Sequence, residues 1–143
     1  MSIKNLNPYL IFDGNAEQVI ELYERALGAK IEGGIMRFGD VPGTPADSPV
    51  KNRVMHAMLR VGEGVLMISD AMPGTPFPAG SNVHLCLHFT DKSEMASRFD
   101  ALAAGGKVDM PLQDTFWNAH YGQVTDKFGV QWMFNFDSKG VTP

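Results

Sequence analysis

Four histidines, one cysteine and a scatter of carboxylates are the residues of this chain that could do chemistry. Two of the imidazoles alternate with the thiol on one short stretch, His84-Leu85-Cys86-Leu87-His88. As a strand, that stretch puts His84, Cys86 and His88 on one face and the two leucines on the other. A neutral imidazole can take or give a proton near neutral pH, and it is a common metal ligand. Cys86 becomes a nucleophile only beside a base; between two leucines it reads more simply as a small buried thiol. His56 and His120 stand apart, and Asp70 closes an apolar run. Each histidine also has a plainer reading, as a hydrogen-bonded member of a sheet. With no second cysteine, neither an intrachain disulfide nor a cysteine cage for a metal can form.

The elements that would hold these side chains are written twice. A shift of 77 positions lays Phe12–Glu32 over Phe89–Asp109 without a gap, pairing Phe12 with Phe89, Glu17 with Glu94, Ala26 with Ala103, Gly28 with Gly105 and Lys30 with Lys107. The matches fall at a strand end, a helix start and a helix stop, where backbone geometry restricts the choice, so a duplicated unit is expected. In the first copy Asn7–Asp13 alternates as a strand. Asn15–Leu27 follows as a helix with Ala16, Val19, Ile20, Tyr23 and Leu27 on one face. Asn15 with Gln18 resembles a capping box, and Gly28 supplies a left-handed stop. Lys30–Phe38 reads as a second strand in which Gly33-Gly34 marks a bulge, and the Pro-rich Gly39–Asn52 as a loop. Arg53–Val61 and Gly64–Asp70 form a hairpin about Gly62-Glu63.

Ala71–Ser81 is again rich in Pro and Gly and reads as a linker. The second copy runs as a strand at Asn82–Thr90 and a helix capped by Asp91 with Met95, Phe99 and Leu102 buried. A short strand at Lys107–Met110, a loop at Pro111–Trp117 and a hairpin of Asn118–Thr125 with Gly129–Phe136 complete it. His56 lies over His120 at a shift of 64, and Gly64-Val65 over Gly129-Val130 at 65. The predicted class is α+β, one domain of two tandem βαβββ modules at about 5–70 and 82–137. Superposing the copies places Asn7, Tyr9, His56, Arg60, Asp70, His84, Cys86, His120, Gln131 and Asn135 on the sheet faces turned away from the helices. A slip of one residue in any strand would reverse its assignment.

Composition narrows the function classes. A net charge of −4 with no clustered Lys/Arg stripe argues against nucleic acid. No apolar run is long enough to span a bilayer and no signal-like start is present, so no membrane partner and a cytoplasmic setting are expected. Nine Met and nine Phe suggest an adaptable apolar interior or pocket. No Gly-rich strand–turn–helix suits a nucleotide-like cofactor, which argues against a methyltransferase.

Longer stretches carry a resemblance. They are Pro8-Tyr9-Leu10-Ile11-Phe12, Ala16-Glu17, Leu22-Tyr23-Glu24, Gly28-Ala29, Val54-Met55-His56-Ala57, Leu66-Met67-Ile68-Ser69-Asp70, Phe116-Trp117, and Tyr121-Gly122 through Asp126-Lys127-Phe128-Gly129-Val130-Gln131-Trp132. Together they resemble the PhnB-like group of the vicinal oxygen chelate superfamily, which includes glyoxalase I, bleomycin resistance proteins and extradiol dioxygenases. The resemblance implies curved mixed sheets around a shared cavity with the helices outside, in a homodimer. It also implies a divalent-ion site made by one His or Gln and one Glu from each half. Those positions fall on Asn7, Ile68, His84 and Met133. His84 is the best metal candidate and Asp70 the next, but thioether and aliphatic side chains cannot replace a carboxylate for such an ion.

Phe116-Trp117 is followed by Asn118-Ala119-His120, where the group has Gly-Asp-Arg. The two aromatics either close one end of the cavity or form a wall against a flat ligand. The expected role is binding of a small organic molecule by Tyr9, His56, Asp70, His84, Trp117, His120, Tyr121 and Asn135, with no resident cofactor. The alternative is a divalent-metal lyase, isomerase or dioxygenase.

Overall fold

The computed structural model describes residues 6–72, 83–115 and 119–137. The chain divides into two compact units, residues 1–77 and 78–143. Among the described residues each unit holds one α-helix and one four-stranded mixed sheet. Beyond Met72 the expected linker lies outside the described residues. The first unit runs β1 (Tyr9–Phe12), α1 (Ala16–Leu27), β2 (Lys30–Arg37), β3 (Val54–Val61) and β4 (Gly64–Asp70), in the sheet order β1-β4-β3-β2. The second runs β5 (Leu85–Phe89), α2 (Lys92–Ala103), β6 (Lys107–Asp114), β7 (Ala119–Thr125) and β8 (Gln131–Asp137), in the order β5-β8-β7-β6. In each unit the first strand is parallel to the last and the other pairs are antiparallel. The duplicated βαβββ unit is therefore the fold.

Apolar periodicity decides which side of each sheet is covered. In α1 the residues Ala16, Val19, Ile20, Leu22, Tyr23, Ala26 and Leu27 are buried, and the helix packs on β3 and β4. Ala57, Leu59 and Ile68 are fully buried on those strands. In the second unit the Phe99 ring meets Phe134 edge-on at 5.1 Å, and Phe89 stacks on Phe134 at 5.5 Å. Gly122 lies under this cluster, where a side chain would collide with Phe99. Gly28 ends α1 at φ 69°, its N–H donating to the Glu24 carbonyl at 3.1 Å. The expected bulge is present: the β2–β3 register shifts between Glu32 and Met36, around the two positive-φ glycines.

Three expectations need correction. The Asn15 side chain makes no cap. Asp70, at the end of β4, takes its place by accepting from the N–H groups of Gly14 at 2.8 Å and Ala16 at 3.0 Å. Strand β6 does not stop at Met110 but runs through Pro111 to Asp114, because an edge strand with register shifts tolerates a residue that has no N–H. Finally, the shifts of 64 and 65 expected between the two hairpins are each one residue short, although the longer turn after β7 is as expected. Val61 pairs directly with Gly64 around Gly62-Glu63, whereas Asp126 N donates to Val130 O around Lys127, Phe128 and Gly129. The copies therefore correspond at a shift of 65 in β3/β7 and 66 in β4/β8, since Tyr9 pairs with Met67 and Cys86 with Met133. His56 corresponds to Tyr121, and Met67 to Met133.

Candidate functional site

With the register known, the far face of each sheet, turned away from its own helix, can be read as cross-strand rows. Residues that pair across strands project to the same side. In the first unit one row is Tyr9, Met67, Met58 and Glu32 on β1, β4, β3 and β2. A neighbouring row holds Ile11 with Ser69 and Met36 with His56, and a third holds Val65, Arg60 and Lys30. Tyr9, Ile11 and Met36 are 46%, 48% and 49% exposed, so this face is not consumed by the unit's own core. The Tyr9 hydroxyl lies 3.3 Å from His56 Nδ1, with the two rings 6.0 Å apart. Arg60 donates to both Glu32 oxygens, which holds the Glu32 carboxyl below its ordinary range.

In the second unit the corresponding rows are Cys86, Met133, Gln123 and Met110, then His88, Asn135, Tyr121 and Gln113. Gln123 Nε2 donates to the Tyr121 hydroxyl at 3.0 Å, and the Asn135 amide lies 3.5 Å from His88 Nδ1. Cys86 is accessible, yet partial burial pushes its thiol above the ordinary value. Extending the β5–β8 register by one residue from Leu85–Trp132 sets His84 beside Gln131. Here His84 Nδ1 and Gln131 Oε1 are both buried atoms that find no hydrogen-bond partner among the described residues. Two orphan polar atoms at adjacent positions are unusual, because buried polar groups are almost always paired.

Of the eight binding residues expected from sequence, Tyr9 and His56 come together on the first far face, and His84, Tyr121 and Asn135 share the second. Trp117 lies outside the described residues, as does Phe116. Asp70 and His120 are turned to the other side. Asp70 pairs with Phe12 on the helix face and is 4% exposed. Its Oδ2 accepts from Val54 N at 2.9 Å, while Oδ1 serves Gly14 and Ala16, so both oxygens are committed to backbone donors. His120 pairs with Phe136, which pairs with Phe89 on the helix side. Its Nδ1 is 2.9 Å from Asp114 Oδ1, and Lys92 at the start of α2 is 3.7 Å from the same oxygen. These partners lower the Asp114 pKa, His120 contributing most.

Of the divalent-ion positions that the resemblance implies, Ile68 is buried on the helix face, and the β4 residue that corresponds to Met133 by strand pairing is Met67. Asn7 donates its amide to Val65 O at 3.3 Å. Among the described residues no three His, Cys, Asp or Glu side chains converge closely enough to hold a metal ion. Met58 follows from His56 and Arg60 on either side of it, whereas Met67 and Gln123 were not legible because the hairpins of the two copies were superposed one position out of phase. Sequence reading also missed Asp126, a buried carboxylate whose oxygens accept from Phe128 N, Val130 N and Trp132 Nε1. That residue shapes the β7–β8 turn.

Comparison with known proteins agrees with this architecture. Residues 5–134 match the family described as the glyoxalase/bleomycin resistance protein/dioxygenase superfamily. The chain is 40% identical over 139 residues to Protein YjdN of Escherichia coli (strain K12), covering 91% of this chain and 93% of that one. It superposes on protein PA1353 from Pseudomonas aeruginosa with a TM-score of 0.82 and 42% identity, over 94% of this chain and 98% of that one. A PhnB protein from Bacillus cereus shares the fold at a TM-score of 0.78 and 23% identity, over 93% and 99% of the two chains. Two βαβββ units and a match over nearly the whole length lead to one conclusion: the chain belongs to the glyoxalase/bleomycin resistance protein/dioxygenase superfamily.

Proposed function

We propose that this protein binds a small organic molecule on the far face of its second unit and does so without the superfamily's divalent ion. The observation that carries the reading is the adjacent pair of buried atoms, His84 Nδ1 and Gln131 Oε1, that find no partner among the described residues. A ligand carrying both a donor and an acceptor would satisfy them. Beside that pair lie Cys86 and Met133, soft side chains suited to an apolar or flat portion of the ligand. Tyr121 and Asn135 on the same face are further polar points. The metal part of the reading rests on donor chemistry. An amide, one imidazole and two thioethers are a poor set for a hard or borderline divalent ion, and Asp70 is held on the opposite side of its sheet.

The binding reading is tested by titrating the protein with a panel of small aromatic carboxylates and amides, followed by amide and side-chain NMR shifts. Perturbations centred on His84, Gln131, Tyr121 and Asn135, lost in His84→Ala, are expected. No shifts across the panel, or shifts confined to the helix faces, would overturn it. The protein is further proposed to be a cytoplasmic homodimer, because closed two-fold pairs are the commonest assembly and the superfamily resemblance points the same way. Light scattering at micromolar concentration is expected to give the mass of two chains; the mass of one would refute the dimer.

A further inference from the structure

The far face of the first unit carries a grouping of soft donors that the organic-ligand reading does not use. Met58 and Met67 stand directly opposite one another across the antiparallel β3–β4 pair, and both are half-buried. Opposed side chains on one face have Cβ atoms about 4.5–5.5 Å apart, close enough for two flexible thioethers to converge on one ion. His56 lies two residues from Met58 on the same strand and face, and Met36 pairs with His56 from β2. The Tyr9 hydroxyl sits at His56 Nδ1, which orients the ring and leaves Nε2 as the coordinating atom. Metal-bound histidines characteristically engage their second nitrogen in this way.

The charge and softness of the set select the ion. Met58, Met67, Met36 and His56 offer three thioethers and an imidazole, with no carboxylate among them. Glu32, the carboxylate in the same row, is taken by Arg60. Thioether and imidazole without carboxylate suit a soft monovalent cation and discriminate against magnesium, manganese and calcium. We infer that Met58, Met67 and His56 form a copper(I) site on the first unit, with Met36 able to supply a fourth donor and Tyr9 orienting the imidazole. All of these residues belong to one sheet. The site needs no carboxylate and is independent of His84 and Gln131, so its failure would leave the organic-ligand reading untouched.

The test is anaerobic titration of the full chain with copper(I) in competition with a chromogenic copper(I) chelator, together with X-ray absorption at the copper edge. One ion per chain with a mixed sulfur and nitrogen shell is expected. Methyl NMR of the wild type should show Met58 and Met67 shifted and Met133 unmoved. Met58→Leu with Met67→Leu, which preserves apolar volume, should weaken binding more than about 100-fold. Tyr9→Phe should weaken it about tenfold by freeing the ring, and Cys86→Ser should leave it unchanged. Loss of all copper to the chelator, a shell without sulfur, or binding abolished by Cys86→Ser and retained in the double leucine variant would each overturn the site. Should the leucine variant fail to fold, the wild-type methyl shifts and the Cys86→Ser titration decide the question.

Discussion

Replacing Asp70 with alanine separates the two roles a buried carboxylate at a strand end could have. Its oxygens accept from three backbone N–H groups, those of Gly14 and Ala16 at the entry to α1 and that of Val54 at the start of β3. Gly14 is exposed and can turn to water, but Ala16 and Val54 are both 0% exposed. Alanine therefore strands two buried donors, each costing about 1–3 kcal/mol, and removes a side chain that caps α1 in place of Asn15. The expected loss is about 3–5 kcal/mol, a large share of the ~5–15 kcal/mol that holds a domain of this size. Asn is milder: its single carbonyl keeps one set of donors while its amide faces the other, for a loss of about 1–3 kcal/mol. Urea unfolding followed by far-UV circular dichroism reads the difference. With a slope of about 2 kcal/mol per molar, Asp70→Ala should move the midpoint by ~2 M and Asp70→Asn by roughly half as much. An alanine variant within about 0.5 kcal/mol of the wild type would refute the scaffold reasoning. So would an unchanged midpoint accompanied by lost ligand binding, because that would return Asp70 to the site.

Gly122→Ala should destabilise the second unit by about 1–3 kcal/mol, since the new Cβ would lie 2.8 Å from Phe99 Cε2 and 3.0 Å from Leu112 Cδ2; a melting temperature equal to the wild type would contradict this packing. The Asp114 carboxyl titrates below its ordinary value because His120, and then Lys92, hold the carboxylate. Its contribution to stability is thus present above the unfolded value near about pH 4 and is lost as pH falls through the lowered folded value. Side-chain carbon NMR should show that low titration moving upward in His120→Ala, and an unmoved curve would reject the contact. Burial raises the Cys86 pKa, so its alkylation rate should still be climbing above the pH at which a free thiol levels off. A plateau at or below the ordinary thiol range would show the opposite.

How much of this was legible beforehand depended on how local the cause was. The duplicated strand–helix–strand reads directly from the sequence, because Gly28 ending α1, Asp91 capping α2 and the apolar stripes of both helices act within a few residues. The sides taken by Asp70 and His120 did not. Strand phase inverts with a single residue, and superposing the copies at shifts of 64 and 65 instead of 65 and 66 put both hairpins one position out of phase. The cap on α1 was hidden for a different reason: Asn15 is the residue local rules favour, but the acceptor arrives from β4, 54 residues from Ala16. Pro111 looked like the end of β6 because an edge strand cannot be recognised before the sheet order is known. Of the site, the alternating His84, Cys86 and His88 were visible at once, whereas the Met58–Met67 pair emerges only when β3 and β4 are set in register.

The central claim is a family member whose binding face works without the superfamily's divalent ion, and elemental analysis of protein purified without chelator tests it most directly. Less than about half an equivalent of zinc, nickel, manganese or iron per chain is expected, whatever the copper content, because the positions expected to supply carboxylates carry Ile68 and Met133, and strand pairing puts Met67 in place of Ile68. Near-stoichiometric amounts of one of those metals, removed by His84→Ala, would contradict it.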